Sequence, residues 1–312
     1  MLIQEGDIMR LFKHRGDIYI PSTKLKSDLE QKILFAGLAF ILVFTIVFIA
    51  IFGIKYDFSP KNFFKPNNLE IVVEDNSKTL PNVRGKHNFL FVMNNKNTDE
   101  IYVCSLIQVD LDDLSYTVCT IDDETEIDGN KISDIYKKGS AGNVLNAVSS
   151  LFGIEIDYFI NQNTKEYRDL FDYMGNINYV VSKDIRYKDN SYYGFNIKVK
   201  SGNQKIDGDL SSKLMRYYLT EKRYDLVDEL ILTALLQQIN PENYERRERI
   251  FSRLIDNSIT NITIKDYNEA DDEIRVLSDE TTGAAIYSVS PVYDGNKITS
   301  ASINEIKGYF EK

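Results

Sequence analysis

The strongest hydrophobic pattern in the chain is the continuous apolar run from Ile33 to Ile54. It contains no charged side chain, and Thr45 is its only polar residue. A helix of this length extends about 33 Å, which is enough to cross the roughly 30 Å core of a bilayer. The run follows a polar segment and has no small-residue cleavage site after it, which argues against a signal peptide. The pattern therefore predicts a single transmembrane helix.

The remaining pattern divides the chain into three further parts. Residues 1–32 are polar and too short to form a core, so we predict a cytoplasmic N-terminal segment. Residues 55–88 contain three of the six prolines among Asn, Lys and Ser, which predicts a stalk with one short strand at Leu69–Val73. Residues 89–312 have the pattern of a globular domain, and their number is sufficient for one hydrophobic core.

Strand and helix patterns alternate within residues 89–312. The predicted strands are Phe89–Met93, Ile101–Val109, Tyr116–Ile121, Ile154–Ile160 and Ile177–Val181, of which the second and third form a hairpin across an acidic turn. The predicted helices are Asn143–Phe152 before Gly153, a helix capped by Thr164 and ended by Gly175, and the long helical region Asp209–Ile239 before Pro241. This order predicts an α/β (α+β) fold in which helices sandwich a mixed β-sheet.

The distribution of charge bears on topology and on partners. Basic residues before the apolar run outnumber those just after it, which favours a cytoplasmic N-terminus and an extracytoplasmic domain in the cell membrane. The whole chain has a net charge of −10. Since residues 1–54 contain six basic and five acidic side chains, the rest of the chain carries the negative charge. An acidic domain of this kind argues against nucleic acid as a partner.

Two cysteines, Cys104 and Cys119, lie on the two strands of the predicted hairpin. A hairpin places them nearly opposite each other, which allows a cross-strand disulfide outside the cytoplasm. The alternative is a pair of small, half-buried thiols, because a shift of one residue in register points the side chains to opposite faces.

The order of motifs resembles the LytR-CpsA-Psr family. The run from Phe152 to Val181 is similar to the family's central block, in which a helix, the phrase G-I-x-I-D-Y-Y, a second helix and L-G-G-V follow one another. The stretch Ile197–Tyr218 resembles the family's glycine-containing element and the arginine-bearing helix after it. The upstream sequence falls where the family has its G-x-D-x-R, R-S-D-T and I-P-R-D signatures. The resemblance covers roughly residues 88–256.

The resemblance implies a membrane-anchored phosphotransferase that moves glycopolymers from a polyprenyl pyrophosphate carrier to the cell wall. It implies a Mg²⁺ ion held by carboxylates, and arginines that orient the pyrophosphate. The implied partners are a polyprenyl (pyro)phosphate-linked glycan or another envelope component, and the membrane.

This sequence departs from the family pattern at most of its functional positions. The two carboxylate positions fall on Asn94 and Asp99, which the resemblance makes the metal ligands. The phosphate-binding positions fall on Lys96, Arg216 and, with a shift of one residue, Arg223. Asp99 and Arg216 are therefore the implied catalytic residues. Three other arginine positions of the family do not carry an arginine here. The arginine of I-P-R-D is replaced by an acid, and the other two positions carry uncharged side chains. These replacements are Asp123 between Asp122 and Glu124, Asn97, and Tyr218.

Each of these residues also has a structural explanation. Asp99 suits a turn, and Arg216 suits a surface helix, where it would lie over Tyr217 or pair with Asp209 or Asp225. The acidic loop Asp122–Glu124 suits a solvated turn or a hard cation. Arg246, Arg247 and Arg249 suit an exposed helix face, and neither His14 nor His87 lies where we predict the core of the domain.

Two functions follow from this comparison. In the first, the protein is a catalytically weak or silent relative, a pseudoenzyme that keeps the fold and binds an envelope glycan or a partner. In the second, it is a working phosphotransferase that delivers a glycopolymer to peptidoglycan. The loss of several charge-assisted phosphate contacts favours the first. Convergence of Lys96, Arg216 and Arg223 near Asp99 would favour the second.

The topology leads to a direct test. A reporter fused after Lys312 should behave as extracytoplasmic, because the N-terminal flank of the apolar run carries more Lys and Arg than the other flank. Paired alkaline phosphatase and green fluorescent protein fusions measure this. A cytoplasmic signal from the fusion after Lys312 would exclude every envelope-facing role considered above.

Overall fold

The computed structural model describes residues 80–191, 194–279 and 282–311. The predicted segments 1–32 and 33–54 lie outside these residues, as does the stalk up to residue 79 with the strand at Leu69–Val73. Within the described ranges, no helix is long and apolar enough to cross a membrane.

The described part of the chain alternates strands and helices. Its strands are β1 (Lys86–Asn95), β2 (Glu100–Asp110), β3 (Ser115–Thr120), β4 (Glu126–Ile127), β5 (Asn130–Lys131), β6 (Tyr158–Asn163), β7 (Ile177–Val181), β8 (Ile185–Lys188), β9 (Asn196–Val199), β10 (Gly202–Ile206), β11 (Ile259–Thr260), β12 (Ala285–Ser288), β13 (Tyr293–Asp294) and β14 (Lys297–Ile298). Its helices are α1 (Ile132–Phe152), α2 (Thr164–Met174), α3 (Gly208–Thr220), α4 (Tyr224–Gln238), α5 (Pro241–Glu245), α6 (Arg247–Asp256), α7 (Ile264–Glu269), α8 (Asp271–Leu277) and α9 (Ser300–Glu311).

A six-stranded mixed sheet organises these elements, with the strand order β11-β6-β1-β2-β3-β12. β1, β2 and β3 form an antiparallel meander, while β6 runs parallel to β1 and β12 runs parallel to β3. The predicted hairpin and the mixed sheet are therefore confirmed. A register shift between Met93 and Asn94 marks the end of the regular pairing of β1 with β2.

Both faces of the sheet are apolar. Side chains alternate along each strand, so the consecutive apolar residues of β1 are divided between the two faces. Leu90 and Val92 of β1 pack in a core that includes residues of α1 and α9. Phe91 and Met93 of the same strand pack in a second core, with residues of α2, α3 and α4. Helices therefore cover the sheet on both sides, which confirms the predicted sandwich.

The helix boundaries differ from the prediction in three places. Helix α1 begins at Ile132, upstream of the predicted Asn143, and continues past a non-helical residue, Ser140, to the left-handed Gly153. Asn163, and not Thr164, caps α2, because its side chain accepts hydrogen bonds from the backbone N–H groups of Lys165 and Glu166. The Glu166 side chain in turn accepts the backbone N–H of Asn163. The predicted long helical region 209–239 consists of two helices, since α3 and α4 are separated by a turn in which Lys222 has a φ of 54°.

The predicted strand Ile154–Ile160 is shifted by several residues. Ile154 and Ile156 are buried but not in a strand, and β6 begins only at Tyr158. The apolar pattern of this segment therefore reports burial under α1 and not strand pairing. Gly208, at the start of α3, is required by close packing, because a Cβ there would lie 2.7 Å from the Arg168 backbone.

Cys104 and Cys119 are both free and fully buried in the core beneath α1. Cys119 pairs with Leu106, and Cys104 lies two residues before Leu106 in β2. The two thiols are therefore on the same face of the sheet. Such diagonal neighbours are about 7–8 Å apart, which is too far for a disulfide without backbone movement. The two cysteines are therefore free thiols, and they do not form the disulfide considered from sequence. Burial raises the pKa of Cys104 to about 12.

A buried carboxyl group joins α4 to the sheet. Asp228 of α4 accepts the backbone N–H of Thr120 at 2.9 Å and the hydroxyl of Ser288 at 2.9 Å, at the ends of β3 and β12. The side chain is fully buried. Burial raises the pKa of Asp228 from 3.8 to about 8, because the ionised form loses its hydration.

We predict that Asp228→Asn flattens the pH dependence of stability. The folded state keeps a proton on Asp228 that the unfolded chain releases above about pH 4, so wild-type stability falls as pH rises from about 4 to about 8. Asparagine can still accept from Thr120 and can donate to Ser288. The variant should therefore gain at least about 1 kcal/mol over the wild type at about pH 8.5 and little at about pH 5. Urea unfolding curves measure this, and parallel losses at both pH values would contradict it.

Candidate functional site

A cavity of about 760 Å³ lies beside the ends of β2 and β3, where the acidic loop Asp122–Glu124 leaves the sheet. The C-terminal end of α3, the loop between β8 and β9, and the turn between β13 and β14 complete its walls. We call it the acidic cavity. Its described lining consists of Glu100, Ile101, Tyr102, Asp122, Asp123, Glu124, Thr125, Asp189, Ser191, Phe195, Arg216, Leu219, Thr220, Lys222, Tyr224, Tyr293, Gly295 and Asn296.

Arg216 is held in this cavity between two aromatic rings. Its guanidinium carbon lies 3.9 Å from the centre of the Tyr102 ring and 4.3 Å from that of Phe195. Burial lowers the pKa of Arg216, while nearby Tyr102, Asp189 and Glu100 oppose that shift. The group remains a cation at physiological pH. Of the residues implied by the family pattern, Arg216 is the one that reaches the cavity.

The two acids suggested from sequence as ion-pair partners of Arg216 are paired with other basic residues. Asp209 is paired with Arg168 at 2.7 Å and with Lys213 at 2.6 Å, and Asp225 is paired with Arg223 at 2.6 Å. Tyr102 is on β2 and Phe195 is just before β9, so Arg216 connects helix α3 to these two strands through its ring contacts. Its stacked position makes it a wall of the cavity.

The acidic loop forms the opposite wall. The hydroxyl of Tyr224 donates a hydrogen bond to Asp122, whose backbone N–H donates to the hydroxyl of Tyr293 at 2.9 Å. Glu124 pairs with Lys131. Burial, together with the charges of Asp122 and Glu124, raises the pKa of Asp123 to about 7. Asp123 therefore changes its charge near neutral pH.

The charges that line the cavity are mostly negative. Its described lining contains five carboxyl groups and two cations, Arg216 and Lys222. Lys222 is exposed, and the two faces of the Arg216 guanidinium are covered by rings. A pyrophosphate placed here would face the acidic loop where the family pattern has an arginine. The arrangement suits uncharged or positively charged ligands better than anions.

Asn94, at the position of the first family carboxylate, is bonded within the core. Its amide nitrogen donates to the Tyr136 hydroxyl at 2.6 Å and to the Asn161 side-chain oxygen at 2.8 Å. Asn161 also donates to Tyr136 at 3.1 Å, so the three side chains form one closed network. Asn94 thus connects β1, β6 and α1 and has a structural role.

The other predicted site residues do not converge. Asp99 is an exposed turn residue with a φ of 52°, as the structural explanation expected, and its N–H donates to the carbonyl of Asn95 at 3.0 Å. Lys96 is exposed in the same turn. Arg223 forms a bidentate pair with Asp225. None of Asp99, Lys96 and Arg223 belongs to the described cavity lining.

These positions do not fit the Mg²⁺ site that the resemblance implies. Asn94 uses its amide within the core, and Asp99 faces solvent. In the ranges that the structure describes, no group of three or more His, Cys, Asp or Glu side chains is arranged to hold a metal ion. The acidic loop, considered as a cation site from sequence, does not form such a group either.

Sequence reasoning missed most of the cavity walls. Tyr102, Phe195, Tyr224, Tyr293, Glu100 and Asp189 come from four separate segments of the chain. The signal that was available is the high tyrosine content, 20 residues. The basic cluster near α6 is also more structural than expected: Arg246 bonds to Asn243 at 2.7 Å and Arg247 pairs with Asp271, while Arg249 is exposed.

Comparisons with known proteins agree with this fold. The sequence model of the LytR_cpsA_psr family matches residues 97–307, so the resemblance is confirmed and extends beyond residue 256. No curated protein matches the chain. A structure described as a putative transcription regulator from Eubacterium siraeum has a TM-score of 0.63 and 19% identity, and the match covers 72% of this chain and 91% of that one.

Two further solved structures are similar in fold. TagV of B. subtilis has a TM-score of 0.57 and 18% identity, with 73% of this chain and 97% of that chain covered. The structure described as TagT bound to LI-WTA has a TM-score of 0.53 and 13% identity, with 72% and 89% covered. At these identities the likeness concerns the fold.

We predict that restoring a carboxylate at position 94 destabilises the domain. Asn94→Asp replaces an amide donor by an acceptor inside a closed network, so the free energy of unfolding at about pH 7 should fall by about 1–3 kcal/mol. Part of this loss should disappear below about pH 5, when the new carboxyl group is protonated. Asn97→Asp, in the exposed turn, is the control and should change little. Stabilisation of the Asn94→Asp variant by Mg²⁺ would show instead that positions 94 and 99 form a metal site.

Proposed function

From the premise that this chain belongs to the LytR_cpsA_psr family, we propose that its domain binds a cell-envelope glycopolymer and has little or no ligase activity. The observation that carries this proposal is the acidic cavity, which keeps one stacked arginine among five carboxyl groups. In this proposal the cavity is a binding site and the protein takes part in glycopolymer attachment or recognition without transferring the polymer itself.

The loss of activity is supported by the side chains that would have to act. Transfer from a pyrophosphate needs positive charge on the phosphates as the bond breaks. Asp123 stands where the family pattern has an arginine, and Arg223 is held by Asp225. Several missing charge-assisted contacts, each contributing roughly 1.5–3 kcal/mol, would remove most of a rate enhancement.

Binding of a glycan is supported by the aromatic walls. Tyr102, Phe195, Tyr224 and Tyr293 all line the cavity and give its walls an aromatic character, with tyrosine hydroxyl groups as polar edges. The ligand named in the solved structure of TagT is LI-WTA, which suggests an envelope glycopolymer as the partner class for this chain. The apolar run 33–54 would anchor the protein in the cell membrane, with the domain outside.

The alternative is a functional phosphotransferase that delivers a glycopolymer from a polyprenyl pyrophosphate carrier to peptidoglycan. The observation that favours it is the position of Arg216 within the cavity, with its charge intact. Asp99 would then have to act as the remaining family carboxylate, with Mg²⁺ recruited together with the substrate.

Phosphate release distinguishes the two functions. We expect the purified protein to release little or no phosphate from a polyprenyl pyrophosphate in the presence of Mg²⁺, because the acidic loop repels the substrate. A catalytically active family member, assayed in parallel, provides the reference rate. The same protein should bind an envelope glycan, and Tyr102→Ala should weaken that binding by about tenfold through loss of ring contact and of the support for Arg216.

Two outcomes would contradict this proposal. Robust Mg²⁺-dependent turnover that disappears in both Asp99→Ala and Arg216→Ala would establish the phosphotransferase. Turnover that survives both changes would place the chemistry at other residues. Lys165→Ala, which alters an exposed ion pair on α2, serves as the matched surface control in every assay.

A further inference from the structure

The acidic cavity differs from an anion-binding site in the sign and the position of the charges that line it. Asp122, Asp123 and Glu124 occupy one wall, and Glu100 and Asp189 lie on the side of Arg216. Three of these groups are engaged with hydrogen-bond donors or cations that stay at the wall: Asp122 with the hydroxyl of Tyr224, Glu124 with Lys131, and Asp189 with the N–H of Ser191 at 2.9 Å. Glu100 remains as a negative charge, and Asp123 adds to it above its pKa of about 7.

The two cations of the lining cannot balance this negative charge for an incoming anion. The guanidinium of Arg216 lies between two rings, within the field of Asp189 and Glu100. Lys222 is exposed in the turn between α3 and α4, where its ammonium stays hydrated. The charge that a ligand would meet in the cavity is therefore negative.

Aromatic rings add to the preference for positive charge. Tyr224 and Tyr293 lie side by side, with ring centres 5.6 Å apart, next to Asp122. Ring faces attract ammonium groups, most strongly when the group is partly desolvated. Carboxylates and tyrosines together are the surroundings in which proteins bind quaternary or primary ammonium groups.

We propose that the acidic cavity binds a saccharide that carries an ammonium group. This inference rests on the proposed function, since it names the chemical class of the glycan bound at that site. The sugar rings would lie against the aromatic walls, and the ammonium group would lie near Asp122 and Asp123. No bond is made or broken.

Proton linkage gives this proposal a signature. Asp123 has a pKa of about 7 because it is buried beside Asp122 and Glu124. A bound cation favours the ionised carboxylate, so cation binding should strengthen as pH rises through about 7, whereas anion binding should weaken. The titratable and charged groups that face Asp123 are Asp122 and Glu124 of its own loop, Cys104 of β2, Tyr224 of α4, and Arg216 and Lys222 across the cavity.

The experiment compares three probes by isothermal titration calorimetry on the full chain in detergent micelles. The cationic probe is an N,N,N-trimethylated glucosamine tetrasaccharide, whose charge does not change with pH. The neutral probe is the N-acetylglucosamine tetrasaccharide, and the anionic probe is inorganic pyrophosphate. We expect the cationic probe to bind at least about tenfold more tightly than the neutral one at about pH 8. Its affinity should fall severalfold at about pH 5.5, where Asp123 is protonated.

Variants locate the effect. Asp123→Asn should remove the pH dependence of cation binding and lower the affinity at about pH 8. Glu100→Gln changes an exposed residue, so it should fold normally and still weaken binding of the cationic probe. Asp169→Asn, on the surface of α2 and outside the cavity lining, is the matched control and should have no effect. Thermal unfolding of each variant identifies any that fails to fold, in which case Glu100→Gln decides.

Each result has a distinct meaning. Equal or tighter binding of the neutral probe, lost in Tyr102→Ala, would overturn the ammonium inference and leave glycan binding at this site intact. Tighter binding of pyrophosphate, strengthening at low pH, would overturn it in favour of an anion site. Cation binding that neither Asp123→Asn nor Glu100→Gln alters would also overturn it. Absence of binding for all three probes to the folded protein would overturn the inference and the proposed function together.

Discussion

Both faces of the central strand β1 are apolar, and this constraint determines the arrangement of everything around it. Leu90 and Val92 point to one side and Phe91 and Met93 to the other, and all four are buried. Burying such side chains contributes roughly 1.5–3 kcal/mol each, so neither face can be left in water. Helices α1 and α9 cover one face, and α2, α3 and α4 cover the other.

The acidic cavity lies where this double coverage ends. The regular core stops at Ile121, which is buried, and the next residues carry the charges of the acidic loop. On the other side, α3 places Arg216 over the ring of Tyr102 on β2. The fold therefore fixes the position of the cavity through apolar packing, while the charges that line it belong to loop residues, to the first residue of β2 and to the C-terminal half of α3.

The sequence was sufficient for the parts of the fold that depend on local pattern. The predicted strand at Phe89–Met93, the hairpin after it and the helix stops at Gly153 and Gly175 were confirmed. It was insufficient where tertiary contacts decide. The turn between α3 and α4 contains no Gly or Pro, and it forms where Tyr224 reaches Asp122 and Asp228 reaches Thr120 across the interface with the sheet.

The site was predictable only in part, for the same reason. Arg216 could be found because the family pattern includes it, and its surroundings could not, since Tyr102 and Phe195 lie far from it in the chain. Asp99 and Lys96 follow the pattern in sequence but lie in an exposed turn, where no packing directs them toward the cavity. Alignment identifies positions, whereas the contacts of each side chain depend on all the elements around it.

The relation between Arg216 and the acidic loop also explains how the fold tolerates so large a change in charge. The half-buried Arg216 is stabilised by the carboxylates near it and by the two rings that flank it, so it needs no anionic ligand to keep this position. Asp123, in turn, can be buried near other acids because it keeps its proton up to about pH 7. Each group therefore has a local means of limiting the cost of its partly buried charge: Arg216 through the rings and acids around it, and Asp123 through the proton that it keeps below its pKa of about 7.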